Sequence, residues 1–510
     1  MKNNTIFLLS FALALACFAS DWPQFKRTAN RQGCSLSEQI ALPSKLCCWM
    51  DFGSPIKASA TVVNGKAYVV SGRGLLARID LATNSIDWRA NLGGVNNEST
   101  PSVGNGKIYV GSTAGDFYVL DAATGEILKI YPANAAILAS PLLFKNSVYF
   151  GSTDGMFHAL DLDGNPKWTF QADSGIFYGA AADSDWIIFP SGLYTVYWLR
   201  DMQTRAESAY VHRSIKTLGS LTPCSEPVIW GGHVYLGFAG QENPGRFVGF
   251  DLDGSGVDTT LADRTVRTAF SVDTATGILF FGSSYWGLSS RGGFTNWGTM
   301  NPDWATPPSG AYGVNSSPAV IQNCVIFGEE TGKIHFCKKD TVGRYPYADW
   351  NSMNLGGAYA IWSYSLPSGK AIEASPAVSD GKVVVGSMDG CLYGFWDGTE
   401  VTAPVIVDSL STGSKNSAAV PGRWTLTAFP NPASAGMINL EIAGLKGKAT
   451  IAIYNISGSL IKTLETQVKG AVQWDIRNGQ GKAVPSGTYY AVVRNAGGKQ
   501  VRTFTLQVVK

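Results

Sequence analysis

A group of short β-runs recurs along most of this chain, and no other feature limits its fold so sharply. STPSVGNGKIYVGSTAGDFYVLDAATGEIL begins at Ser99, and SPLLFKNSVYFGSTDGMFHALDLDGNPKW begins at Ser140. Further copies begin at Ser59, Ser225, Ser316 and Ala374, with weaker ones at Gly179 and Thr268. Each of these eight units opens on a Ser-Pro-like pair and a β-run, then has a Gly/Asn/Asp turn and a second β-run ending in Gly-Ser. A second turn and a third β-run ending near Asp complete it, and in the good copies an outer strand follows, as around Trp88 and Trp168. One such sheet alone is marginal in water. Units of about 40 residues with several strands each instead pack face to face around an axis, as in a β-propeller.

The last unit lacks an outer strand, because after Phe395 and Trp396 the chain runs into DGTEVTAP. KLCCWMDFG, residues 45–53, has the shape to supply it. The expectation is that this segment pairs with the last blade and closes the ring, which removes two exposed sheet edges. Charged residues at 15%, with 58 Gly and 12% aromatics, agree with an ordered, turn-rich β protein. A net charge of +2 and no basic stripe argue against nucleic-acid binding.

The repeat resembles the pyrroloquinoline-quinone-type (PQQ-type) propeller repeat, SPxVxxGxVYVGSxDGxLYALDxxTGxxxW. SDWPQFKRTANRQG, which follows residue 19, is similar to the DWPQFRGPxRxG opening of secreted proteins of that group. The likeness spans about residues 21–397. The family holds quinoprotein alcohol dehydrogenases and non-enzymatic scaffolds, including the outer-membrane assembly lipoprotein, so the fold leaves function open.

The two ends read as addresses. Lys2 and the apolar run IFLLSFALALACFA form a secretory signal over residues 1–20, with cleavage after Ser20. LALAC, ending at Cys17, partly meets a lipoprotein pattern and leaves lipid anchoring as an alternative. No later apolar run is long enough for a membrane helix. Residues 398–425 are rich in Ser, Thr, Ala and Pro and read as a linker. Residues 426–510 hold short alternating strands, expected to form a small Ig-like β-sandwich with Ile451, Ile453, Trp474, Tyr490 and Val492 in its core. Phe429-Pro430-Asn431-Pro432, Ile453-Tyr454-Asn455 with Gly458, Trp474-Asp475 and Pro485-Ser486-Gly487-Thr488-Tyr489 resemble the C-terminal sorting domain of type IX secretion cargo and the Ig-like domain of flagellar hook-capping proteins. That resemblance implies handling by the outer-membrane secretion machinery and delivery to the surface or medium. The whole reading is all-β: an eight-bladed β-propeller, a linker and an Ig-like domain.

Signs of chemistry are sparse. No GxSxG, HExxH or CxxC motif and no phosphate-cradling glycine loop occurs. After cleavage seven cysteines remain, at 34, 47, 48, 224, 324, 337 and 391, so at least one is unpaired within a monomer. NCVIFGEETGKIHFC reads as a hairpin turning at Glu329 to Gly332, which sets Cys324 opposite Cys337 as a candidate disulfide or as two reduced core thiols. Cys47-Cys48 resembles the vicinal pair of some quinoprotein dehydrogenases, but lies in the expected closing strand, where neighbouring side chains diverge. Asp161 and Asp163, and Asp251, Asp253 and Asp258, have calcium-loop spacing, yet Asp and Gly also suit β-turns. His158, His212, His233 and His335 have no metal-like spacing.

The largest departures from even units are aromatic. Residues 283–313 carry Trp286, Trp297 and Trp304, and residues 342–362 carry Tyr345, Tyr347 and Trp350. On insertions, such rings suit stacking on a glycan or anchoring a surface protein, or else packing the insertions down. The first expectation is a non-enzymatic exported binding scaffold with no cofactor. The alternatives are a dehydrogenase dependent on PQQ and calcium, and a periplasmic assembly factor.

Overall fold

The computed structural model describes residues 21–92, 99–192, 195–201, 209–216, 222–239, 246–261, 266, 268–283, 287–291, 304–305, 314–339, 360–407, 425–429, 437–443, 449–455, 460–466, 470–495 and 500–508. Every regular element among them is a β-strand. No helix of the described residues is long and apolar enough to cross a membrane. The chain divides into two compact units, Met1–Ser414 and Lys415–Lys510.

In the first unit, Thr61–Val63, Lys66–Val70, Leu75–Asp80 and Ser85–Asn91 form an antiparallel sheet in chain order. The turn that joins the first two is Asn64-Gly65, both with positive φ, 52° and 68°. That is the mirror-type hairpin turn whose twist matches the strands, and Asn-Gly suits it best. The pattern repeats in sheets whose innermost strands are Ser102–Gly104, Leu142–Phe144, Ala181–Asp183, Val228–Trp230, Ser271–Asp273, Ala319–Ile321 and Ala377–Ser379. In the last of these, Lys45–Asp51 lies antiparallel to Cys391–Trp396 as the fourth strand. Val405–Ile406, at the start of the stretch read as a linker, adds to the same sheet parallel to Met50 and Asp51.

Period-two alternation gives each sheet two apolar faces, and each hydrophobic cluster lies between consecutive sheets. Tyr68 and Val70 pack with Ile108 and Val110. Tyr109 and Phe117 pack with Val148 and Phe150, and Tyr149 and Phe157 with Ile187 and Phe189. Later sheets follow suit. One cluster joins Ile326 and Phe336 to Val384 and Leu392, and those to Val69 and Ile79 of the first sheet. In most sheets a glycine at or near the end of the second strand seats the apolar residue leading to the next sheet. A Cβ on Gly151 would stand 2.2 Å from Ile176 Cγ2, and one on Gly328 2.2 Å from Ile372 Cγ2.

In the second unit, Thr425–Phe429, Ile438–Ala443 and Gly470–Trp474 form one sheet. Leu460–Thr466, Ala449–Asn455, Gly487–Asn495 and Gln500–Val508 form the other. Ile451, Ile453 and Trp474 are fully buried in their shared core, as expected. The strand Gly487–Asn495 contributes Tyr489 and Ala491 to that core, and the side chains of the expected Tyr490 and Val492 lie outside the description. Pro430, Asn431, Pro432 and Gly458 of the sorting motifs lie outside the described residues, as do the signal at 1–20 with Cys17 and residues 408–424 of the linker stretch.

The hairpin at Glu329 departs from the expected register. Cys337 pairs with Val325, so Cys324 falls one residue before the strand. Cys324 and Cys337 sit in different hydrophobic clusters. Both are free thiols, pushed up to about 12 by burial.

The Gly–Ile seat has a direct test. Gly151→Ala should cost about 1–3 kcal/mol through overpacking, seen by calorimetry as a lower Tm; an unchanged Tm would show that the seat yields freely.

Candidate functional site: the axis of the sheets

The innermost strands leave one edge without a sheet neighbour, except Ala319–Ile321, which pairs parallel with Cys34–Ser35. At the middle residue of seven of them, the backbone N–H is instead taken by the segment that follows residue 20. Val62 N donates to Trp22 O (2.9 Å), Val103 N to Pro23 O (2.7 Å) and Leu143 N to Gln24 Oε1 (3.0 Å). Ala182 N donates to Ala29 O (2.8 Å), Ile229 N to Asn30 O (2.9 Å), Val272 N to Gln32 O (2.9 Å) and Val320 N to Gly33 O (2.9 Å). Gln322 N then donates to Glu38 O, and in the eighth sheet Gly381 N donates to Glu38 Oε2 (2.8 Å). The segment thus meets the sheets in their chain order.

Its own conformation is tightly curled. Lys26, Arg27, Arg31 and Gly33 all have left-handed φ, 58° to 72°. Such backbone is uncommon outside glycine and needs surrounding structure to hold it. Here the holders are charged. Arg31 is 0% exposed, and its guanidinium donates from Nε to Ala180 O (2.9 Å), Nη1 to Phe25 O (2.7 Å) and Nη2 to Pro141 O (3.0 Å). Lys26 is 1% exposed, and its ammonium donates to Pro318 O (2.7 Å) and Ser271 Oγ. Glycine at 33 is required by that path, since a Cβ there would stand 2.6 Å from Lys26 Nζ.

A second ring of bonds runs through the opening residue of the units. Ser59 N donates to Thr100 Oγ1 (3.1 Å) and Thr100 N to Ser140 Oγ (3.2 Å). Ala269 N donates to Ser317 Oγ (3.0 Å), Ser317 N to Ser375 Oγ (3.1 Å), and Ser375 N back to Ser59 Oγ (2.9 Å). Where a unit opens on Ser or Thr before Pro, that hydroxyl ties its sheet to the preceding one. Glu226 holds the equivalent place in the fifth unit and receives the Gly179 N–H. Desolvation raises its carboxyl, while Arg31 and Lys26 pull it back. Lys26 is lowered to about 7, chiefly by burial.

The residues singled out in the sequence fall elsewhere. Trp286, Trp297, Tyr345, Tyr347 and Trp350 lie outside the described residues. Trp304 is in the short strand Trp304–Ala305, its side chain outside the description. Cys47 and Cys48 are free thiols at a bulge of Lys45–Asp51; Cys47 Sγ lies 3.4 Å from Trp396 O, and Cys48 is 0% exposed.

The acidic turns bind their own backbone. Asp161 Oδ1 accepts from Asp163 N (2.9 Å) and Asn165 N (2.8 Å), and Asp253 Oδ1 from Ser255 N (2.7 Å). No cluster of three or more metal-ligand residues occurs among the described residues. His158 is buried between Tyr131 OH (3.2 Å) and Ser152 Oγ (3.1 Å), and burial lowers it to about 4. His335 links Glu329 Oε2 (3.1 Å) to Ser363 Oγ (2.8 Å), and His233 faces Asp251 Oδ1 (3.2 Å). His212 is in Ala209–Lys216, its side chain outside the description.

Family models match two parts of the chain. Residues 72–184 match the PQQ-type repeat model described as outer membrane protein assembly factor BamB, and residues 427–507 match the secretion system C-terminal sorting domain. No curated protein matches in sequence. Among solved structures, BamB from Moraxella catarrhalis is 14% identical with a TM-score of 0.54, covering 71% of this chain and 99% of its own. A europium-containing methanol dehydrogenase is 12% identical with a TM-score of 0.58, covering 74% and 98%. Quinohemoprotein alcohol dehydrogenase from Comamonas testosteroni is 14% identical with a TM-score of 0.57, covering 76% and 83%. At such identities the likeness is one of fold: a β-propeller. The chain therefore carries a PQQ-type repeat domain and a C-terminal secretion sorting domain.

A quinone stacked near the axis, as the family resemblance implies, does not fit the residues found there. Residues 22–33 fill the level of the innermost strands, and the two buried cations are already bonded to main-chain and serine oxygens.

Two outcomes test this account of the axis. Arg31→Ala strands several buried carbonyls and should cost about 3 kcal/mol or more in urea unfolding. Lys26 titrates at 10.5 when unfolded and about 7 when folded. Between these values the unfolded chain holds the extra proton, so stability should climb with pH across that window. Lys26→Met should flatten that rise; an identical pH slope in the variant would contradict the assignment.

Proposed function

We propose that this exported β-propeller protein, which ends in a type IX sorting domain, acts at the cell surface or in the medium as a non-enzymatic binding scaffold. The observation that carries the reading is the filled axis. The place where the family's dehydrogenases are expected to hold their cofactor is here occupied by residues 22–33 of the chain itself. In this reading the eight sheets are blades of one closed ring, residues 45–53 are its closing strand and residues 426–510 are an Ig-like sorting module. The ligand is a glycan or a surface protein. It is held by the aromatic insertions, through Trp286, Trp297, Trp304, Tyr345, Tyr347 and Trp350.

A second reading, a partner-binding assembly factor at the outer membrane, is favoured by the match of residues 72–184 to the BamB-type model. The two differ at the N-terminus: a mature start at Asp21 supports the released or surface-held scaffold, and a lipidated Cys17 supports the assembly factor.

The test uses the mature chain in affinity electrophoresis through gels containing cell-surface polysaccharide. Retardation is expected, and Ala at Trp297, Trp304 and Trp350 together should abolish it while leaving the circular dichroism intact. Unchanged retardation in the triple variant would remove the aromatic site. Turnover of an alcohol with an artificial dye, dependent on added PQQ and calcium, would remove the non-enzymatic reading altogether.

A further inference from the structure

We propose that the axis is a peptide-binding channel, filled in cis by residues 21–38 of the same chain. Six of the seven inner-strand amides that face it are met by main-chain carbonyls and the seventh by the amide side chain of Gln24. That is recognition of a peptide through its backbone, related to the addition of a strand to a sheet edge. Here the edge is a circle of short edges, one per sheet, and the ligand bends to follow it through its left-handed residues.

Specificity comes from a few side chains. Trp22 is 2% exposed and packs into the cluster shared by the last two sheets and the first. Gln24 uses its amide oxygen on Leu143 N, in place of a backbone carbonyl. Arg31 and Lys26 reach opposite parts of the circle, the third and fourth sheets and the sixth and seventh. Asp21 Oδ1 accepts from Asn64 N (2.9 Å) and fixes the first residue at the turn of the first sheet. The ligand class is thus a curled peptide with an aromatic near its start, an amide two residues on and two basic anchors. The segment is bound by contacts that do not require it to be covalently joined to the ring. This inference rests on the scaffold reading only in that the axis is not a cofactor site.

The experiment uses the whole mature chain with a protease site inserted after Ala41, an exposed position between the segment and the closing strand. After cleavage, residues 21–41 are held by non-covalent contacts alone. They should co-elute with the ring in native buffer and leave only on unfolding. A fluorescent synthetic peptide of the same residues should exchange in, and a peptide with Lys26→Ala and Arg31→Ala should bind at least about tenfold more weakly. Loss of the segment on cleavage with the near-ultraviolet dichroism of the ring unchanged would overturn the proposal. Hydrogen exchange on the uncut chain gives a second reading: slow exchange at Val62, Val103, Ala182, Ile229, Val272 and Val320 is expected, and fast exchange there would overturn it. PQQ with calcium is then added to the uncut chain. Binding that leaves these amides protected defeats the cofactor-free scaffold reading but keeps the channel. Binding that frees them defeats the channel.

Discussion

Every sheet in this ring has an inner edge, and every such edge but that of Ala319–Ile321 has amides with no strand to receive them. A buried N–H without a partner costs on the order of a full desolvation penalty. Solvent in an open channel is the ordinary answer. In this chain the answer is a second pass of the polypeptide, which closes the account at seven sheets with one short segment. The left-handed residues, the buried Arg31 and Lys26 and the glycine at 33 all follow from that. The segment must curl within a circle, and its cations must find oxygens where no water reaches them.

The ring is then held by three separate systems. Apolar faces between sheets supply the bulk of the stabilisation through area removed from water. The serine and threonine hydroxyls at the unit openings fix the sheets in order, and Ser375 to Ser59 joins the last to the first. The axial segment adds contacts between sheets that are far apart around the circle, since Arg31 and Lys26 each bridge their own neighbours while belonging to one short stretch. Local repeats build the blades, and one non-repeating stretch couples them.

The sheets were legible because their causes are local. Asn64-Gly65 codes a hairpin turn, Gly151 leaves room for Ile176, and KIYVG alternates two faces. The axial segment was not legible, because nothing local explains DWPQFKRTANRQG. Its left-handed positions are mostly Lys and Arg, not Gly, and its charges look like a solvated loop until the circle of unpaired amides is known. The error of register at the cysteine hairpin has the same origin. Symmetry about Glu329 to Gly332 put Cys324 opposite Cys337, but Gly328 pairs with Ile334, so the centre lies half a residue later and Cys337 faces Val325. The aromatic insertions stood out in the sequence because they break the repeat, whereas the axial segment shows its role only through its partners.

The eighth sheet is assembled from three distant parts of the chain, and its outermost member is Val405–Ile406. A protein held by its C-terminal unit transmits any pull through those two residues. Tension from that side would meet the hydrogen bond of Val407 to Asp51 (2.7 Å) first, then the two-residue parallel pair, then that of Val401 to Leu46 (2.8 Å). Peeling that margin would lengthen the tether without touching Lys45–Asp51 and its long antiparallel pairing with Cys391–Trp396. The seam is therefore the part of the sheet that such a pull would open first, ahead of the ring behind it.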